Sequence, residues 1–204
     1  EVMGIIGPNG SGKTTMMNLI SGALQLSEGS ISLDGRFIST LKANQINQRG
    51  IARTFQLVRV LPGLSILENC MAGMVFGHRR LWGDQARYEA GKLLERVGLS
   101  GKEAIQVESL TYIDQKRLEL ARALASSPKL LMLDEWLAGL NPTELREGID
   151  LIRSLREEGI TIILVEHVMD AIRSLCDRCI VMAAGANIAE GSPAEVLAEP
   201  EVVK

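Results

Sequence analysis

A strand-like run, Val2-Met3-Gly4-Ile5-Ile6, passes straight into Gly7-Pro8-Asn9-Gly10-Ser11-Gly12-Lys13-Thr14, and apolar residues at helical spacing (Met16, Met17, Leu19, Ile20) follow. Few arrangements leave a chain so little choice. The glycines let the backbone curl through angles closed to other residues. Strand and helix are therefore joined by a tight loop whose successive N–H groups converge on one point. The strand is apolar at consecutive positions rather than alternating, as a parallel strand covered on both faces requires. An α/β fold built on a buried parallel sheet is expected.

The loop fits the P-loop pattern in spacing and in context, between a strand and a helix. Its N–H groups suit phosphate oxygens, and the helix that starts near Lys13 adds its positive end. Lys13 supplies a mobile cation for β- and γ-phosphates, and Thr14 offers a hydroxyl to Mg²⁺. A second apolar strand, Leu130-Leu131-Met132-Leu133, ends in Asp134-Glu135. Placed beside the P-loop strand, its carboxyl end would lie next to the phosphates. Asp134 would then reach Mg²⁺ through water, and Glu135 would face the water that attacks the γ-phosphate.

Elsewhere the chain reads in three stretches. Ser30-Ile31-Ser32-Leu33 with Asp34-Gly35 is a short antiparallel element running into a turn. From about Val58 to Leu110 the strand pattern stops; Ser65 to Phe76 and Asp84 to Val97 are predicted helices, and a third runs from near Thr111 to Ala125. After Pro128 strand and helix alternate again, with strands at 130–133, 160–165 and 179–182 and helices at 142–158 and 168–175. The expected organisation is one domain over 1–204, with a P-loop core of 1–57 and 120–204 and a helical subdomain of 58–119. Because the chain opens inside a core strand, sequence N-terminal to it is expected to be missing. The formal net charge of −3 disfavours nucleic acid as a partner. The sparse cysteines, Cys70, Cys176 and Cys179, point to a reducing compartment rather than a disulfide framework.

Gly7 to Thr15, Gln56, Asp134-Glu135, Ala138-Gly139-Leu140-Asn141 and Glu166-His167 stand in the order and spacing of the ABC transporter ATPases, which the chain resembles over nearly its whole length. Leu118 to Leu124, Leu137 to Pro142, Val165 to Asp170 and Ile188 to Leu197 are most similar to the branched-chain amino-acid importers. The resemblance implies a P-loop NTPase core with an inserted helical subdomain, and ATP with Mg²⁺ as cofactors. It also implies hydrolysis that powers uptake through separate transmembrane permease subunits. The partner would be a second ABC ATPase subunit, homomeric or heteromeric, with ATP at the interface. The location would be peripheral, at the cytoplasmic face of the bacterial inner membrane. Lys13, Glu135 and His167 would be catalytic, His167 as the switch histidine bonded to the γ-phosphate. Gly7 to Thr15 and Gln56 would bind the nucleotide. Thr14, Gln56 and Asp134 would serve Mg²⁺, Gln56 as the Q-loop glutamine that links core and helical lobe. An ABC exporter motor of lipid or lipopolysaccharide type, or a non-transport ABC ATPase, is the alternative.

Two places depart from the family pattern. Its signature, Leu-Ser-Gly-Gly-Gln, aligns with Leu110-Thr111-Tyr112-Ile113-Asp114. Ile113 brings bulk where glycine allowed close approach, and Asp114 repels a polyphosphate unless it turns away. Thr111 to Asp114 also fits a capping box, Thr111 capping the helix and the acid reaching back. A weakened signature favours a heterodimer whose partner supplies an intact one. Trp136 replaces the usual proline, either packing under the strand end or shaping the segment after it. Of the weaker signals, Cys176-Asp177-Arg178-Cys179 lacks the second pair a zinc site needs and is expected to pack at a helix-to-strand junction. The apolar Val58 to Leu67 stretch that follows Gln56, with Leu57 before it, is implied by the resemblance to form a groove for a permease helix, the alternative being core of the helical lobe. His78, Arg79 and Arg80 are expected in a solvated loop.

Overall fold

In the computed structural model, which describes residues 1–77 and 79–199, two units divide the chain: Glu1–Leu41 with Met132–Lys204, and Lys42–Leu131. The P-loop strand β1 (Val2–Ile6) is the axis of the first. After it come α1 (Lys13–Ile20) and a two-stranded antiparallel ribbon, β2 (Ser32–Leu33) and β3 (Arg36–Phe37), turned by Asp34-Gly35. The second unit holds α2 (Ala43–Gln48), β4 (Ile51–Arg53), α3 (Ile66–Phe76), α4 (Gly83–Arg96) and α5 (Tyr112–Ala125). The chain returns to the first unit along β5 (Leu130–Asp134). Then follow α6 (Pro142–Glu157), β6 (Thr161–Val165), α7 (Met169–Leu175), β7 (Arg178–Ala183), β8 (Ala186–Gly191) and α8 (Pro193–Val196).

The strand order is β5-β6-β1-β7-β8, with β1 parallel to both β6 and β7 and the edge strand β8 antiparallel to β7. Ile5, Leu131, Met132, Leu133, Ile162 and Leu164 are all buried without exposure, as strands covered on both faces should be. β6 lies between β1 and β5, so the Asp134 strand is one strand removed from the P-loop strand rather than beside it as expected. The carboxyl ends of the three still gather Gly7, Asp134 and Glu166 at one edge of the sheet. In the second unit, the Lys129 and Leu130 N–H groups donate to the Gly50 carbonyl at 2.8 and 3.0 Å, laying β4 along the start of β5.

The helices at 66–76, 83–96 and 112–125 match those expected from periodicity. Sequence reading missed α2, whose Ala43-Asn44-Gln45-Ile46-Asn47-Gln48 has one buried apolar residue, Ile46, and so no periodicity to detect. It also missed β8, which is largely exposed and whose only large apolar residue is Ile188. Arg79 and Arg80 are exposed; His78 lies outside the described residues. Cys176 caps α7 and Cys179 lies in β7, and both sulfurs lie 2.9 Å from where a Cβ on Gly4 would stand. That is the helix-to-strand packing expected of this pair. Among the described residues no helix is long and apolar enough to cross a membrane.

Candidate active site

Three glycines set the loop between β1 and α1. Gly7, Gly10 and Gly12 have φ of 147°, 79° and 102°. A Cβ on Gly7 would stand 2.1 Å from the Met182 carbonyl oxygen, so no larger residue fits. The Ser11 N–H donates to the Pro8 carbonyl, and the Gly185 N–H, from the β7–β8 turn, donates to the Ser11 carbonyl at 2.9 Å, bracing the loop from outside. Gly12 caps α1, whose first turn carries no acid to neutralise the helix's positive end. The buried Ser11 hydroxyl oxygen has no hydrogen-bond partner. A cradle of N–H groups with an unspent buried hydroxyl and an uncompensated helix start fits a polyphosphate.

Lys13 is 6% exposed and folds back over the loop, its ammonium donating to the Gly7 and Pro8 carbonyls at 2.7 and 2.9 Å. Burial pulls its pKa down, while Glu135 and Asp134 push it up. The cation and both carboxylates therefore share one electrostatic field. Thr14 and Thr15, exposed on the first turn of α1, stand beside it.

Asp134, buried, ends β5. Glu135 follows in the left-handed region at φ 51°, a conformation that costs a non-glycine residue on the order of 1–3 kcal/mol and must be imposed by its surroundings. Three hydrogen bonds impose it. The Glu135 N–H donates to the Val165 carbonyl at 2.8 Å, the Ala138 N–H to the Glu135 carbonyl at 3.3 Å, and the Leu137 N–H to the buried Glu166 carboxylate at 2.6 Å. The turn throws the Glu135 side chain, 19% exposed, onto His167: Oε1 lies 2.8 Å from Nε2. Trp136 is buried against Gly148 of α6, which settles its role as packing beneath the segment that leads to Asn141. Asn141 caps α6, accepting from the Thr143 and Glu144 N–H groups.

Thus Lys13, Asp134, Glu135 and His167 come together in the first unit. The bond of Glu166 to Leu137, and the bracing of the loop by Met182 and Gly185, had no signal in the sequence beyond an acid placed directly after an apolar strand. Gln56 lies in the second unit, exposed, just past β4.

The family model described as ABC transporter matches residues 1–138. The chain is 37% identical to the high-affinity branched-chain amino acid transport ATP-binding protein LivG of Salmonella typhimurium, over 100% of this chain and 86% of that protein. The chain belongs to the ABC transporter family. It is also 33% identical to the lipopolysaccharide export system ATP-binding protein LptB of Haemophilus influenzae, over 99% of this chain and 83% of that protein. Among solved ABC cassettes, a nucleotide-free one superposes with a TM-score of 0.90 at 31% identity, covering 100% of this chain and 87% of that one. A dimeric cassette in a post-hydrolysis state bound to ADP and phosphate gives 0.86 at 27% identity, covering 95% and 85%.

The family signature stretch lies in the second unit. Thr111 caps α5, accepting from the Asp114 N–H at 3.3 Å. The other half of the expected capping box does not form, because the Asp114 carboxylate turns to Lys102 Nζ at 2.5 Å and Arg117 Nη1 at 3.8 Å. Asp114 is 6% exposed. Its charge is buried and paired with two cations, which lessens the repulsion that its position suggested. Also in this unit is a groove of about 420 Å³, lined among others by Phe55, Arg59, Leu61, Phe76 and Arg122. Leu57 next to it is 81% exposed and Phe76 72%.

Proposed function

We propose that this ABC ATPase hydrolyses Mg-ATP to power uptake of branched-chain amino acids or similar small solutes through separate permease subunits. The observation that carries the reading is the 2.8 Å contact of Glu135 and His167 at the edge of the sheet that also bears the Lys13 loop. A carboxylate held in a strained conformation and steered by an imidazole is a general base set in advance. The Gly7–Thr15 loop holds the triphosphate by its N–H groups. Lys13 leaves its two carbonyls for the more strongly charged phosphate oxygens. Glu135 takes the proton of the attacking water as the bond to the terminal phosphorus forms and the bridging oxygen departs with ADP. His167 holds Glu135 aimed and bonds the γ-phosphate.

Mg²⁺ bound with nucleotide takes only one or two protein oxygens besides those of phosphate and water and neutralises charge on the departing group. Thr14 and Asp134 fit that requirement, and Gln56 serves as the Mg²⁺-sensing glutamine. We further assign 58–119 as the helical subdomain and its groove as the seat of a permease helix. The working partner is a second cassette with an intact signature, at the cytoplasmic face of the membrane. The likeness to LivG favours import of branched-chain amino acids.

Phosphate release from ATP by purified protein tests the reading. Wild type should turn over. Glu135→Gln should lose at least about a hundredfold in rate, the lower end of what one general base contributes, while still binding ATP. An unchanged rate would remove Glu135 from the chemistry.

A further inference from the structure

The segment that carries Gln56 hangs on one side chain. Glu119, on the buried face of α5, is 2% exposed, and its Oε1 accepts the Arg59 N–H at 3.1 Å. The Phe55 N–H lies near enough to favour the ionised carboxylate too. One carboxylate thus grips the chain on both sides of Gln56. Arg122, one turn along α5, donates to the Arg59 carbonyl. Two guanidiniums lie over the Phe55 ring, Arg53 at 4.8 Å and Arg59 at 4.1 Å from its centre. All of these residues lie in the second unit.

We propose that Glu119 is a positioning residue whose carboxylate holds the Phe55–Arg59 segment, and with it Gln56, in place. Its Oε2 is buried without a hydrogen bond. The hold therefore comes at the cost of a half-satisfied buried charge. Burial drives the Glu119 pKa up to about 7; the Arg59 and Phe55 N–H groups and the charges of Arg122 and Arg59 oppose the rise. The facing groups are guanidiniums of Arg59 and Arg122, with Arg53 over the Phe55 ring. The Cys70 thiol on α3 lies beside Arg122 and, pushed up to about 12, stays neutral. Ionised Glu119 makes charge-assisted bonds to the segment; protonated Glu119 accepts the same N–H groups more weakly. If the segment detaches while Glu119 stays buried, the carboxylate loses the N–H groups that hold its pKa down. Ionisation therefore favours the attached segment, which is firm above about pH 7 and loosened below it. Global unfolding, which also hydrates Glu119, has the opposite pH dependence.

Amide hydrogen exchange of residues 55–59, corrected for intrinsic rates, reads this directly in the wild-type protein. Protection should fall about tenfold between pH 8 and pH 6, the factor given by the difference between a charged and a neutral hydrogen bond. Glu119→Gln, a neutral acceptor of the same shape, should show the low protection at both pH values, and Glu119→Asp should restore part of the pH response. Equal protection at both pH values in wild type, or full protection in Glu119→Gln at pH 8, would overturn the proposal. The link to turnover rests on the role assigned to Gln56. If it holds, the same variant raises the Mg²⁺ concentration needed for half-maximal ATPase more than it lowers the maximal rate. A loss of protection with unchanged Mg²⁺ dependence would leave Glu119 as the holder and strike out the role of Gln56.

Discussion

At the scale of single residues, the site depends on backbone conformations that only certain side chains tolerate. Gly7 combines φ 147° with a Met182 carbonyl where a Cβ would go. Gly7→Ala must therefore displace β7 or open the loop, and nucleotide affinity measured by equilibrium titration should fall below detection while Gly10→Ala, with no neighbour within 4 Å, should cost less. Glu119 gives a stability signature as well. Its folded pKa of about 7 is above the usual carboxylate value of 4.5, so the folded state holds an extra proton between those limits. That contribution is fully present below pH 4.5 and is lost as pH rises through 7. Chemical denaturation of wild type against Glu119→Gln should show the wild type losing on the order of 3 kcal/mol across that window relative to the variant. Glu135 and Lys13 were legible from the sequence because each follows an apolar strand in a recognisable pattern. The direct Glu135–His167 contact was not, because it depends on a left-handed turn that a glutamate seldom adopts and that bonds from Val165 and Glu166, some thirty residues later, enforce.

At the scale of elements, helix caps decide what the unusual stretches do. α5 begins on Thr111, and losing its cap in Thr111→Ala should lower stability by about 1 kcal/mol in a thermal or denaturant melt. Activity is a separate matter. With Asp114 tied to Lys102 and Arg117, the feature that most departs from a phosphate-gripping helix start is the side chain of Ile113. Replacing Thr111 by Ser and Ile113 by Gly should raise the ATPase rate of the isolated protein; an unchanged rate would refute a weakened signature. Periodicity made α3, α4 and α5 readable to within a residue or two at each end. It could not reveal that Asp114 chooses a lysine twelve residues back over its own cap, since that choice depends on where the loop after α4 brings Lys102.

For the whole molecule, a buried parallel sheet carrying the P-loop was legible from the motifs, but its strand order was not. The Asp134 strand was expected beside the P-loop strand, whereas the strand that leads to His167 lies between them. Nor was the antiparallel edge strand β8 legible, being largely exposed with Ile188 as its only large apolar residue. Function at this scale concerns partners. Affinity isolation of the native complex should recover a second, different cassette and membrane permeases of amino-acid uptake; a lipid-exporting permease in their place would reassign the direction of transport. The most direct test of the hydrolytic site itself is a crystal structure of the Glu135→Gln protein grown with Mg-ATP. The triphosphate should be ringed by the N–H groups of the Gly7–Thr15 loop, with the Lys13 ammonium moved from the Gly7 and Pro8 carbonyls to the phosphates and residue 135 facing the terminal phosphorus. Nucleotide bound elsewhere, with Lys13 still closed on its own loop, would contradict the account.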